Sequence, residues 1–175
     1  MKVVQRKVCL LGDFAVGKTS LVRRFVDNRF DDKYLSSIGV KVSRKTLNRS
    51  DHTLNLLIWD LVGGNEFSRR EIGYLVGAAG ALLVCDLTRL ETVDAVAQYA
   101  HQLRTINPQA ALVFIGNKVD LVDERVITDE QLLAVADTWK GSCLLTSAKT
   151  GEQVETAFMQ LAHKVGEIFH DNAAT

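Results

Sequence analysis

The stretch Gly12-Asp13-Phe14-Ala15-Val16-Gly17-Lys18-Thr19 places two glycines, a lysine and a hydroxyl at the spacing G-x-x-x-x-G-K-T. Residues of these types in that order suit a loop that holds phosphate. The glycines permit a tight turn, successive backbone N–H groups converge on phosphate oxygens, Lys18 adds a fixed positive charge, and Thr19 offers a hydroxyl to Mg²⁺. A glycine-containing turn with a stray lysine is the plainer reading, and the flanks argue against it. The apolar run Val8-Cys9-Leu10-Leu11 feeds the loop, and Leu21, Val22, Phe25 and Val26 recur at helical spacing after it. Phe14 and Ala15 stand at loop positions where small residues are expected.

Three further segments follow apolar runs and carry complementary chemistry. Asp60-Leu61-Val62-Gly63 offers a carboxylate that can hold Mg²⁺ through water and a Gly63 N–H that can meet a terminal phosphate. Asn117-Lys118-Val119-Asp120 and Ser147-Ala148-Lys149 lie further along the chain. A carboxylate at Asp120 can accept two hydrogen bonds, from the N1–H and the exocyclic amine of guanine, and adenine has no matching donor pair. Lys118 and Lys149 can lay their stems over the base, with Asn117 and the Ala148 N–H fixing neighbouring groups. Each segment alone is an ordinary surface turn; ordered beyond a phosphate loop, they specify a guanine-nucleotide site.

These segments need a sheet whose strand ends all meet one edge. Six apolar runs read as strands, beginning near Val3, Val40, Leu54, Ala81, Ala111 and Cys143, and they alternate with segments of helical period. Val40–Leu47 and Leu54–Trp59 flank the polar turn Asn48–Asp51 and predict an antiparallel hairpin at a sheet edge. The continuous apolar runs at Ala81 and Ala111 predict central parallel strands covered on both faces. Val93, Val96, Ala97, Ala100 and Leu103 predict one helix ahead of Pro108, and Thr128-Asp129-Glu130 caps another through about Thr138. Val154, Ala157, Phe158, Leu161, Val165 and Ile168 form a core-facing stripe on the last helix. Residues 28 to 38 and 61 to 73 have weak pattern and predict long loops, the second with a short helix anchored by Phe67, Ile72 and Leu75.

The 175 residues suit one domain burying about 70% of its unfolded surface. Lys and Arg number 21 against 21 Asp and Glu, so no broad field argues for nucleic acid or an anionic membrane. Cys9, Cys85 and Cys143 each sit in apolar runs and read as buried core thiols of a reducing cytosol. The charged N-terminus and the absence of a spanning-length apolar run predict a cytoplasmic protein.

Taken together, Gly12-Asp13 with Val16-Gly17-Lys18-Thr19-Ser20-Leu21, Tyr34–Val40, Ile58-Trp59-Asp60, Asn117–Leu121 and Thr146–Lys149 resemble the segments of a Ras-superfamily small GTPase of the Rab branch. The resemblance covers nearly the whole chain. It implies a P-loop NTPase G domain of α/β class over residues 1–170, with a mostly parallel six-stranded sheet, one antiparallel edge strand, about five helices and a short tail, 171–175. It implies GTP/GDP and Mg²⁺ as ligands. Contacts to nucleotide would come from Phe14, Ala15, Val16, Gly17, Lys18, Thr19, Ser20, Phe30, Tyr34, Ser37, Gly63, Asn117, Lys118, Asp120, Leu121, Ser147, Ala148 and Lys149. Phe30 would sit against the guanine ring, Tyr34 would close over the phosphates, and Thr19, Ser37 and Asp60 would serve the metal. Lys18, Gly63 and Gly64 would line the reacting centre. Residues 30–40 and 61–75 would be switches that order in the GTP form and present two states to effectors, exchange factors and activating proteins. The expected unit is a monomer.

The departures bear on rate. The family places a water-orienting glutamine directly after the switch II glycine, and that position is Gly64. Phe14 would stand near the attacking water and obstruct an arginine finger, worth about 10³ to 10⁵ in rate; folded instead onto switch II, it would fill the space beside Gly64. Asn65 and Glu66 are offset from the water-orienting position. Ser37 keeps the Mg²⁺ oxygen of the family's threonine and loses its methyl. The final residues, Asp171–Thr175, include no cysteine, so no lipid anchor is expected on this chain. The expected activity is slow GTP hydrolysis by a molecular switch. A nucleotide-locked adaptor with negligible hydrolysis is the alternative, and an adenine-binding P-loop ATPase or kinase the third reading.

Overall fold

A computed structural model describes residues 2–30, 40–63 and 69–171. Six strands form one sheet in the order β2-β3-β1-β4-β5-β6. They are β1 (Lys2–Leu11), β2 (Val40–Asn48), β3 (His52–Leu61), β4 (Ala78–Asp86), β5 (Ala111–Asn117) and β6 (Ser142–Leu145). β2 runs antiparallel to β3 at one edge, and every other pair is parallel. The described helices are α1 (Lys18–Asp27), α2 (Arg69–Gly73), α3 (Glu91–Ile106), α4 (Asp129–Thr138) and α5 (Val154–Asp171), with a 3₁₀ turn at Val122–Glu124. This is the mostly parallel α/β arrangement with one antiparallel edge strand that the sequence implies, a sheet covered by helices on both faces.

Alternation along the strands divides the core into two layers. Val8, Leu10, Leu82, Val84, Val113 and Ile115 face α1 and α5. Their neighbours Cys9, Leu11, Ala81, Leu83, Cys85, Leu112 and Phe114 face α3 and α4. The first layer is keyed by Phe25 of α1 stacked on Phe158 of α5, with ring centroids 4.2 Å apart. Because both faces of the central strands are covered, β4 and β5 read as unbroken apolar runs.

Helix ends follow local chemistry. The Thr128 hydroxyl accepts from the Gln131 N–H at 3.2 Å while the Gln131 side chain accepts from the Thr128 N–H at 2.8 Å, a reciprocal cap that starts α4 where its sequence predicts. α1 ends at Asn28, whose left-handed backbone (φ 51) returns its N–H to the Arg24 carbonyl. On α3 the buried stripe is wider than predicted. Thr92 and Tyr99 are buried and Ala97 is only partly so. Ile168 and Phe67 of the predicted stripes lie outside the described side chains.

The cysteines differ from one another. Cys9 and Cys85 are fully buried, and burial pushes each thiol up to about 12. Cys143 is half-buried, because β6 has a strand partner on one side only, and burial raises its pKa as well. A disulfide-exchange reagent at pH 8 should therefore modify Cys143 alone, and slowly, in the native protein, and all three thiols in denaturant. Rapid native labelling of two or three thiols would contradict this packing.

Candidate functional site at the carboxyl edge of the sheet

The carboxyl ends of β1, β3, β4, β5 and β6 open on one edge, where open α/β sheets bind ligands. The loop from β1 to α1 lies there. Gly17 caps α1 with φ 103, and a Cβ at that position would stand 2.3 Å from Asn117 Nδ2, so both backbone and space require glycine. Ala15 takes φ 62, a left-handed conformation that costs a residue with a side chain about 1–2 kcal/mol.

Five consecutive carbonyls of this loop accept side-chain N–H groups. Lys18 Nζ donates to Gly12 O (2.9 Å) and Asp13 O (2.8 Å). Arg89 Nη1 donates to Phe14 O (2.8 Å), Lys118 Nζ to Ala15 O (3.1 Å) and Asn117 Nδ2 to Val16 O (3.0 Å). The peptides of the described residues are trans, so each held carbonyl sets the opposite direction for the N–H across its bond. The held carbonyls thereby fix the row of amides between them, the kind of backbone donor set that binds anions.

Lys18 is 6% exposed, and burial lowers its pKa to about 8; Asp60 and Asp13 oppose that shift, and Arg89 adds to it. Asp60 is also buried, and desolvation raises its pKa against the Thr19 hydrogen bond and the charges of Lys18 and Lys41. Thr19 Oγ1 donates to Asp60 Oδ2 at 2.5 Å, while the buried Oδ1 has no hydrogen-bond partner among the described residues. A buried carboxylate with an unsatisfied oxygen beside a hydroxyl fits a hydrated divalent cation. No cluster of three or more His, Cys, Asp or Glu occurs among the described residues. Mg²⁺ takes one or two protein oxygens and completes its shell with water and phosphate, a donor set that the Asp60 carboxylate and Thr19 hydroxyl match. Gly63 closes this side: a Cβ there would lie 2.2 Å from Gly12 O, so the backbone just beyond β3 packs directly on the loop.

On the far side, Asn117 ties two loops together. Its Oδ1 accepts from Thr146 Oγ1 (3.1 Å) and from the Ala148 N–H (3.3 Å), while its Nδ2 holds Val16. Asp120 Oδ1 accepts from Ser147 Oγ (2.7 Å), and that oxygen in turn accepts from the Thr150 N–H (3.0 Å). Leu121 returns its N–H to the Lys118 carbonyl (3.0 Å), and Lys118 itself takes φ 69. Asn117, Ser147 and Ala148 are buried, and Lys149 is exposed. Phe30 is half-buried against the α1–α5 layer, Val16 is buried, Ser20 is half-buried, and Phe14 is 46% exposed at the rim. Tyr34, Ser37 and Gly64 lie outside the described residues.

Three residues that sequence motifs do not flag support this edge. Arg89 holds Phe14 O, and the buried Asp86 pairs with Lys118 Nζ at 2.7 Å. Arg24 donates from Nε to Ala148 O (2.9 Å) and from Nη2 to Lys149 O (2.5 Å), tying α1 to the loop after β6. Position is the signal that could find two of them: Asp86 ends the central strand β4 and Arg89 lies in the turn after it, on the edge that already carries the other segments.

Fold and site define a P-loop GTPase domain of the Ras type. The chain belongs to the Ras family, whose model matches residues 7–167. It is Rab-like. Ras-related protein RABD1 of Arabidopsis thaliana is 36% identical over 160 residues, which span 91% of this chain and 78% of that protein. Ras-related protein Rab-22A of Mus musculus is 34% identical over 166 residues, 94% of this chain and 86% of the relative. Ras-related protein Rab-1D of Dictyostelium discoideum is 35% identical over 160 residues, 91% and 78%. Membership makes the protein a guanine-nucleotide-binding small GTPase of the kind that works through effectors, exchange factors and activating proteins. Among the described residues, no helix is long and apolar enough to cross a membrane.

Proposed function

We propose that this protein is a monomeric, cytoplasmic, Mg²⁺-dependent guanine-nucleotide switch with slow intrinsic GTP hydrolysis, carried by one domain spanning residues 1–170. The observation that supports it most is Asn117, whose single amide joins the phosphate loop at Val16 to the base-side loop at Ala148, beside a carboxylate oriented by Ser147. Lys18 and the amides of Ala15 to Ser20 hold the phosphates, and the Gly63 N–H meets the terminal one. Asp120 accepts the N1–H and amine of guanine. Lys118 and Lys149 cover the base, Phe30 sits at its side, and Leu121 and the Ala148 N–H complete the pocket. Tyr34 closes over the phosphates. Thr19 and Asp60, with Ser37, hold Mg²⁺, which when bound neutralises charge on the phosphate oxygens. Residues 30–40 and 61–75 meet the partner proteins.

Slow hydrolysis follows from what the reacting centre lacks. Gly64 has no side chain with which to orient water, and Phe14 at the loop rim stands in the path of an arginine from a partner. The same two residues favour a second reading, an adaptor that holds its nucleotide and cleaves nothing at a useful rate. Chromatography of the nucleotide released from purified protein tests the shared core of both. GTP or GDP at one equivalent is expected; adenine nucleotide, or protein that neither carries nor takes up guanine nucleotide, contradicts it.

A further inference from the structure

Four of the five held carbonyls in the phosphate loop are accounted for by Lys18, Asn117 and Lys118, which belong to its recognisable motifs. The fifth, Phe14 O, is held by Arg89, which belongs to none. We propose that Arg89 is a positioning residue of the phosphate loop, fixing the Phe14–Ala15 peptide so that the Ala15 amide is aimed at the bound phosphates. This rests on the guanine-nucleotide reading above.

Arg89 is built to hold a position. Its own N–H donates to Asp86 O (2.9 Å), and its carbonyl accepts from the Thr92 N–H (3.2 Å) and Thr92 Oγ1 (2.7 Å). The turn between β4 and α3 is therefore pinned before the side chain leaves it. The guanidinium Nε is held by Glu91 Oε1 at 3.2 Å, and Nη2 lies 3.9 Å from Asp13 Oδ2. Asp13 Oδ1 in turn accepts the Phe14 N–H at 2.8 Å, so the peptides on both sides of Phe14 are gripped, one by its N–H and the other by its carbonyl.

That grip matters because of the next residue. Ala15 has φ 62 and a side chain, so rotating the Phe14–Ala15 peptide by about half a turn would return it to the ordinary extended region. The same rotation would swing the Ala15 N–H out of the row of amides. Arg89 opposes it by holding the carbonyl oxygen on the outer side. A cationic donor on that oxygen also polarises the amide and strengthens its N–H as a donor to phosphate.

The test uses the complex with GDP and Mg²⁺, release of fluorescent GDP, and the amide NMR spectrum of ¹⁵N-labelled protein. Arg89→Ala should speed GDP release roughly tenfold, the loss of one charge-assisted hydrogen bond, and should shift the Ala15 amide signal. Arg89→Lys should recover most of the difference. In an Ala15→Gly background, where glycine adopts the left-handed geometry unaided, removing Arg89 should change release less than about threefold. Should Arg89→Ala melt well below wild type, Arg89→Gln, which keeps the volume without the charge, is read in its place. Release within about twofold of wild type with an unmoved Ala15 signal overturns the proposal alone, as does an equal effect in the Ala15→Gly background. Wild type that binds no GDP overturns the nucleotide reading and this inference together.

Discussion

Asp120→Asn should lower affinity for GTP by about 10³-fold or more and turn the preference toward xanthine nucleotides, because a site built to pair a base edge rejects a mismatched edge by about 10⁴–10⁵. Asp120 Oδ1 is held by the Ser147 hydroxyl, so the Asn amide would keep its oxygen on Ser147 and turn its NH₂ toward the base. Guanine would then meet a donor with donors. Xanthine replaces the exocyclic amine by a carbonyl and restores one match. Equilibrium titration with GTP, XTP and ATP measures the change. Unchanged GTP affinity would remove Asp120 from the base site, and a gain for ATP would favour the adenine-binding reading.

The second large effect concerns rate. Gly64→Gln with Phe14→Gly should raise single-turnover GTP hydrolysis by about 10²-fold, the size associated with one oriented group in a preorganised site. Phe14 is 46% exposed and its backbone is held at both ends, by Asp13 and Arg89, so removing its ring should leave the loop path intact. Each single change should give part of the gain. If neither accelerates hydrolysis while GTP affinity is kept, the slow step lies elsewhere and the adaptor reading gains.

Where a local pattern decides the structure, the sequence shows it plainly. The hairpin at the edge, the unbroken runs of β4 and β5, the Thr128 cap and the stripe of α5 from Val154 to Val165 all lie where periodicity and capping chemistry imply. The segments around Gly12, Asp60, Asn117 and Ser147 converge because each follows a strand of one mostly parallel sheet. Features set by distant neighbours are harder to read. Arg89 and Arg24 hold loop carbonyls 75 and 124 residues away in the chain, and Asp86 pairs with the Lys118 side chain 32 residues on; the place of Asp86 and Arg89 beside a strand end is legible, but these partners are not. Tyr99 and Thr92 are buried by the width of the α3 contact and by the turn that Thr92 closes, neither of which follows from spacing alone. Cys143 lies on an apolar run yet is half-buried, since burial at a sheet edge depends on what covers it.

On the proposed function, this loop binds GTP well and cleaves it slowly. Single-turnover hydrolysis in the GTP-loaded, Mg²⁺-bound protein tests it most directly, with bound nucleotide resolved by chromatography over time. The expected result is guanine nucleotide retained throughout, with GTP converting to GDP over hours. Complete conversion within minutes, with Gly64 and Phe14 unchanged, would contradict it.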